Sequence, residues 1–227
     1  MSMIAASMRL ALAQLPDPAF RRVLVRSLLI SIAVFAALAL VLWFGIASLP
    51  ETDRTWLHWL IGFVSGLGFF VGMLLLFPAV MTAAIGLFLD DIADAVERRY
   101  YPHEARGQPL AFWPALWGSV RFLLVVIGVN LLLLPIYGVL IFFPPLMYGL
   151  SLLVNGFLVS REYFEVVAWR YLPRKEADYL RKRYRGDLWL CGVIIVLLLT
   201  IPLINFLVPI VATAFMVHVY KRLRATE

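Results

Sequence analysis

Four long stretches without a charged residue constrain this chain more than any other feature. They cover residues 27–49, 60–89, 122–160 and 188–220. About 20 apolar residues in an α-helix suffice to cross the ~30 Å hydrocarbon core of a bilayer. The chain is 63% hydrophobic and 15% charged, whereas soluble domains are about 45–50% apolar and about 25% charged. The sequence therefore predicts an all-α integral membrane protein with a single membrane domain over residues 1–227.

The first two apolar stretches have the length of single membrane crossings. They predict two long transmembrane helices, over 18–49 and 57–99. The segment before them, residues 3–15, mixes small and apolar residues with one charge, Arg9. That composition predicts a helix lying in the membrane interface.

The other two stretches are too long for one helix each and contain prolines near their centres. Pro135, Pro144 and Pro145 lie in the third stretch, and Pro202 and Pro209 in the fourth. If each centre is a turn, the arms have only roughly 11–15 residues, or about 16–23 Å. We therefore predict two partly penetrating helical hairpins, over 122–160 and 188–220, whose turns are covered by protein or face water. Two full crossings in each stretch are the alternative.

Lysine and arginine residues are distributed very unequally between the connecting segments. Nineteen of the twenty fall in segments that share one side of the membrane if each hairpin enters and leaves by the same face. The positive-inside rule makes that side cytoplasmic and places both termini there. The same rule explains the net charge of +6 without a nucleic-acid partner. Residues 161–187 are accordingly predicted to be a cytosolic helical connection, although six full crossings satisfy the count equally well.

The sequence contains no recognisable catalytic or metal-binding motif. There is one cysteine, Cys191, the three histidines lie in three different segments, and no phosphate-binding or nucleophile loop occurs. We predict no catalytic residues, no metal and no cofactor. The acidic residues Asp90, Asp91, Asp94 and Glu97 are interpreted as a solvated helix end balanced by Arg98 and Arg99; a metal or acid–base role is the alternative.

The start of the first long helix is the sharpest candidate binding site. Asp17 is a plausible N-cap, and Pro18 suits the first helical position. Arg21 and Arg22 then lie in the opening turn, where free N–H groups and the guanidinium forks favour an oxyanion. The alternative is that these arginines are membrane anchors or contact lipid phosphates. The carboxylate of Asp17 would compete with an anion for the same N–H groups.

Small residues four apart on the second long helix predict close helix packing. They are Gly62, Gly66, Gly68 and Gly72. They could form a subunit interface or pack within the chain. Asn205, which lies between Pro202 and Pro209, is predicted at the tip of the last hairpin, where it could line a pore.

Several segments together resemble the CysZ-type sulfate permeases of bacteria, in the wider etoposide-induced protein family. They are Pro18-x-x-Arg21-Arg22, residues 86–92 running on to Glu97, residues 161–165, the proline-flanked turn at 201–209, and residues 214–218. The resemblance spans nearly the whole chain.

The resemblance implies sulfate uptake across the bacterial inner membrane for cysteine biosynthesis, by an oligomer without an ATP-hydrolysing partner. It also implies two long helices and two half-penetrating hairpins. The sulfate motif of the family, Gly-x-Arg, falls on Ala19, Phe20 and Arg21, with Arg22 beside it. Ala19 stands where the family has glycine. A non-transporting membrane scaffold or lipid-interacting protein is the alternative function.

Overall fold

A computed structural model describes residues 3–48, 55–201 and 204–226, and within these ranges the regular elements are helices. The α-helices are α1 Met3–Ala13, α2 Pro18–Ala47, α3 Thr55–Gly86, α4 Leu89–Tyr100, α5 Phe112–Leu140, α6 Pro144–Ala168, α7 Arg174–Arg183, α8 Arg185–Leu199 and α9 Val208–Ala225. A 3-10 turn, Ile204–Phe206, lies between α8 and α9. The predicted all-α fold is confirmed.

The chain divides into two compact units. Arg21–Phe88 forms one, here called the two-helix unit, and Met1–Phe20 with Leu89–Glu227 forms the other, called the bundle unit. Two helices, Pro18–Ala47 and Leu60–Gly86, are long and apolar enough to cross a membrane. Within the most apolar 18-residue segment of each helix, only 11% and 0% of the residues, respectively, are buried inside the chain. A core helix of a soluble protein would be buried, so these outward apolar surfaces fit a lipid environment.

Large side chains join α2 to α3 in the two-helix unit. The Phe35 ring lies 6.5 Å from the ring of Phe69 and 5.9 Å from that of Phe77. The Ser31 hydroxyl donates to its own helix at the Ser27 carbonyl and lies 3.7 Å from the Met81 sulfur. The contact therefore runs along one stripe of α2 and leaves the rest of that helix exposed.

The bundle unit is built around α9. From Val208 to Leu223 every residue of this helix is buried except Arg222. Helices α1, α4, α6 and α8 pack against it. α1 contributes the stripe Ile4, Ser7 and Ala11, which is buried at helical spacing. One face of the predicted interfacial helix is therefore occupied by protein.

Helices α6 and α8 approach each other most closely at a pair of glycines. A Cβ atom at Gly192 would overlap the Gly156 carbonyl oxygen, and one at Gly156 would lie 2.6 Å from Val193 Cγ2. Neither position has room for a larger residue. The close crossing requires glycine on both helices.

The second long helix ends earlier than predicted. Instead of one helix over 57–99, α3 ends at Gly86 and α4 begins at Leu89. In between, the N–H groups of Leu87 and Phe88 donate to the carbonyls three residues back, at 3.3 and 2.9 Å. Glycine favours a helix end, and the acidic residues that follow favour the start of a new one.

The first hairpin turns at the second of the three prolines named in its stretch. Pro135 lies inside α5, and the turn falls at 141–143, directly before Pro144. A first-turn proline has no N–H that needs a partner, whereas an interior proline is tolerated in apolar membrane helices. α5 and α6 are about 44 and 38 Å long, but their charge-free parts, residues 122–140 and 144–160, are only about 28 and 26 Å long. α8 and α9 are only about 23 and 27 Å long.

Candidate functional site

The N-terminus of α2 is capped by the chain itself. Pro18 is the first helical residue, and the Ala19 N–H donates to Asp17 Oδ1 at 2.9 Å. This is the hydrogen bond of an N-cap side chain. The carboxylate therefore occupies one of the backbone N–H donors that were predicted to bind an anion.

Two further contacts hold the Asp17 carboxylate at this position. Gln14 Nε2 and Arg99 Nη1 each lie 3.4 Å from Asp17 Oδ2. Burial raises the pKa of Asp17, but the hydrogen bonds from Ala19, Gln14 and Arg99 outweigh it, so the pKa lies below its ordinary value. Asp17 stays ionised at neutral pH. An incoming anion has to be bound mainly by the arginine side chains.

The four predicted sulfate-binding residues have different surroundings. Phe20 is completely buried, and Ala19 is half-buried. Arg21 and Arg22 are exposed, and neither forms an ion pair within the described part of the chain. The guanidinium groups of two consecutive arginines are therefore available to a ligand, while Phe20 has a packing role.

A buried arginine, missed by the sequence prediction, dominates the electrostatics of the bundle unit. Arg170 lies in the turn after α6 and is 3% exposed. Its guanidinium pairs with Asp90 and Asp94, and its Nη2 lies 3.2 Å from Glu97 Oε1. Burial lowers the pKa of Arg170, but these three carboxylates raise it above its ordinary value. Arg170 stays charged and clamps α4 to the end of α6.

The acidic face of α4 is therefore not balanced as predicted. The sequence assigns it to Arg98 and Arg99, but Arg99 binds Asp17 instead. The partner, Arg170, lies 73 residues after Glu97. No spacing rule links positions so far apart, so the sequence carries no signal for this cluster.

Glu97 has two more donors and is fully enclosed. The Tyr171 hydroxyl donates to Oε1 at 2.5 Å, and the Gly107 N–H donates to Oε2 at 3.0 Å. Burial and then the Glu97 carboxylate raise the pKa of Tyr171, so its proton is retained. Gly107 must be glycine, because a Cβ there would lie 2.8 Å from Arg170 Nε.

The end of α9 is fixed to the same region. The Tyr220 and Tyr171 rings stack with centroids 4.7 Å apart. Lys221 Nζ lies 3.0 Å from Glu104 Oε2 and donates to the Ala105 carbonyl at 3.1 Å. A hydrogen bond of 2.8 Å joins Tyr101 to His218. These contacts tie the 101–108 segment to α9.

A cavity of about 810 Å³ lies between residues 104–111, the 169–172 turn and the end of α9. Its basic lining residues are Arg106, Arg170, Lys221 and Arg224. Four carboxylates lie on or beside it: Glu104 on its wall, and the three that bind Arg170. These charges balance, so the cavity is a weaker candidate for an anion than the exposed arginine pair.

The remaining predicted site residues lie in both units. At Gly62, Gly66, Gly68 and Gly72, an added Cβ would meet no described atom within 4 Å. Asn205 lies in the 3-10 turn, where its N–H donates to the Ile201 carbonyl at 3.1 Å. Pro209 is buried in the first turn of α9, and Pro202 lies outside the described residues. Among the described residues, no group of three His, Cys, Asp or Glu side chains could hold a metal ion.

These features define a helical membrane protein with a cationic pair at the start of its first long helix. Comparison with known families is more specific. Residues 7–209 match the family described as sulfate transporter CysZ/etoposide-induced protein 2.4. The chain belongs to this family of transporters, and the resemblance seen in the sequence is confirmed. A search of curated proteins returned no match.

Proposed function

We propose that this protein moves sulfate across the bacterial inner membrane and supplies it for cysteine biosynthesis, as a channel or an ion-coupled permease. Membership of the sulfate transporter family, matched over residues 7–209, is the observation that carries the proposal. The exposed Arg21 and Arg22 support it locally, because they offer forked donors at the beginning of a membrane helix.

The composition of this site favours weak binding, as conduction requires. A transported ion must be released as easily as it is bound. Arg21 and Arg22 are exposed to solvent, and the nearby Asp17 carboxylate holds one of the helix N–H donors. The anion thus gains the two guanidinium groups but not the full set of donors of an uncapped helix. Ala19 and Phe20 place the arginines by forming the first turn.

We also propose that the protein is a homo-oligomer in the membrane, with both termini in the cytoplasm. The glycine stripe of α3 supports the first point, because the described residues leave open space beside Gly62, Gly66, Gly68 and Gly72. A second copy could approach closely there. The distribution of lysine and arginine supports the second point.

Uptake of labelled sulfate into liposomes that contain the purified protein tests the transport proposal. We expect flux above that of empty liposomes and a half-saturating sulfate concentration at least about tenfold higher in the double variant Arg21→Ala/Arg22→Ala, because each charge-assisted hydrogen bond contributes about 1.5–3 kcal/mol. Arg98→Ala, which removes another exposed arginine, is the matched control. Flux equal to that of empty liposomes, or a double variant that behaves like the control, would contradict the proposal.

A non-transporting membrane scaffold is the second candidate, and α7 favours it. This short helix buries Ala177 and Leu180 and exposes Lys175, Tyr179 and Lys182. A basic surface with an aromatic ring suits a partner protein. Cross-linking from α7 that captures a stoichiometric partner, together with an absence of sulfate flux, would support this function.

A further inference from the structure

An apolar groove of about 490 Å³ lies between α1 and α8 in the bundle unit. Its lining residues are Ile4, Ala5, Met8, Arg9, Leu12, Leu190 and Ile194. Small-molecule sites usually have volumes of about 300–1,000 Å³. The groove is therefore large enough for a ligand.

Helical spacing explains the shape of the groove. On α1 the residues Ile4, Met8 and Leu12 follow each other at intervals of four and line one side. Leu190 and Ile194, one turn apart on α8, line the other. Ile4 is buried at 8% exposure, whereas Leu12 and Leu190 are each 44% exposed. The groove thus has a buried floor and open apolar rims, a surface that suits a hydrocarbon chain.

Arg9 adds a positive charge to the lining of the groove. It is the one charged residue of α1, it lines the groove, and it is exposed. It forms no ion pair with any described residue. A ligand that complements the site must combine an apolar tail with an anionic head, because apolar walls offer nothing to a small inorganic anion.

From this combination we infer that the α1–α8 groove binds an acyl chain of an anionic phospholipid, and that Arg9 pairs with the lipid phosphate. The membrane supplies such a ligand at high local concentration, and basic side chains near its surface attract anionic headgroups. α1 is held in place beside the groove, because it packs on α9 and also buries Ser7 and Ala11, which do not line the groove. The groove contains neither Arg21 nor Arg22.

Native mass spectrometry of the detergent-purified full chain, titrated with phosphatidylglycerol or phosphatidylcholine, tests the inference. We expect one tightly bound phosphatidylglycerol and weaker binding of phosphatidylcholine. Arg9→Gln should weaken phosphatidylglycerol binding roughly fivefold, by the loss of one headgroup contact, and remove the preference between the lipids. Arg9→Lys should keep most of the preference for phosphatidylglycerol. Arg98→Gln, an exposed arginine on α4, is the matched control and should have no effect.

A second pair of measurements separates the acyl chain from the headgroup. Leu190→Trp fills the groove and should reduce binding of both lipids, and soluble glycerol phosphate should not compete. Unchanged lipid preference in Arg9→Gln, or competition by glycerol phosphate together with normal binding in Leu190→Trp, would overturn the inference. A dimer that disappears in Leu190→Trp would instead assign the groove to a second copy of the chain. None of these readouts depends on sulfate flux.

Discussion

Helices α9 and α3 are both rich in apolar residues but place them in opposite surroundings. α9 is enclosed by α1, α4, α6 and α8, and nearly all of its residues are buried. In α3, no residue of the most apolar 18-residue segment is buried inside the chain. The same side-chain chemistry is therefore covered by protein in the bundle unit and left for lipid in the two-helix unit. Apolar character alone does not reveal whether a helix is surrounded by protein or by lipid.

The difference extends to the polar residues of the two helices. The buried α9 carries Thr213, His218 and Lys221, each with a hydrogen-bond partner. The outward-facing window of α3 over residues 60–86 has no charged residue. A buried polar group is acceptable when protein satisfies it, whereas lipid offers no partner. The bundle unit should accordingly be the more sensitive of the two to single substitutions.

The largest effect is expected where the bundle unit depends on a buried charge. Arg170→Ala leaves Glu97 enclosed without its cation, and breaking a buried ion pair costs about 3–5 kcal/mol. Arg99→Ala removes an arginine whose side chain is 53% exposed and should cost at most about 1 kcal/mol. Unfolding of the detergent-solubilised protein by sodium dodecyl sulfate, followed by circular dichroism, measures both. Equal losses would show that the cluster is not a stabilising clamp.

Truncating an apolar side chain compares α9 with α3 directly. Ile210→Ala in α9 removes a fully buried side chain and should lower the free energy of unfolding by about 2–5 kcal/mol. Leu75→Ala in α3, at a position 73% exposed, opens no cavity inside the chain and should have a much smaller effect. The same unfolding assay applies. A larger loss for Leu75→Ala would indicate that a neighbouring copy covers α3.

Adding a methyl group tests packing density in each unit. Gly192→Ala places a Cβ against the Gly156 carbonyl and should cost about 1–3 kcal/mol as α6 and α8 move apart. Gly66→Ala meets no described atom and should leave monomer stability nearly unchanged. Chemical cross-linking in membranes adds a second readout for Gly66→Ala. A loss of cross-linked oligomer with normal monomer stability would place Gly66 at a subunit contact.

The smallest effect concerns Asp17, just before α2. Asp17→Ala removes the N-cap hydrogen bond and should cost about 1 kcal/mol at neutral pH. Because the pKa of Asp17 is lowered in the folded protein, its charge stabilises the fold above the unfolded pKa of about 4. That contribution is lost as the pH falls through the folded pKa. Unfolding at pH 6 and at pH 3 should therefore show a smaller difference between wild type and variant at the lower pH.

The lengths of the apolar stretches and the positions of the charges predict much of the fold. The first long helix, predicted over 18–49, runs Pro18–Ala47, and the N-terminal helix, predicted over 3–15, runs Met3–Ala13. Strong local signals mark these boundaries; for example, Asp17 and Pro18 mark the start of α2. The membrane class follows from composition, since no soluble core could bury so many apolar residues.

The features that sequence reasoning misses depend on contacts between distant residues. Pro135, Pro144 and Pro145 all lie near the centre of the third stretch, and because membrane helices tolerate an interior proline, the residue type alone does not show which of them marks the bend. Arg170 is one of eight Lys and Arg residues in the segment 161–187. Only the packing of α4 beside the end of α6 shows that it is the one that pairs with the carboxylates of α4. The burial of Phe20 is likewise a tertiary property. Local sequence rules locate Arg21 and Arg22, but they do not predict which side chains surround these arginines or Phe20.

The apolar tip of the first hairpin bears on the energetic cost of inserting residues 122–160 into a membrane. Ile141, Phe142 and Phe143 form the turn between α5 and α6 and are all strongly exposed. A charged residue at the centre of the bilayer costs about 2.5–3.5 kcal/mol on insertion scales, and the segment 122–160 contains none. If this hairpin lies in the membrane as the sequence predicts, its turn can enter the hydrocarbon together with the charge-free parts of α5 and α6, without carrying a hydrophilic loop.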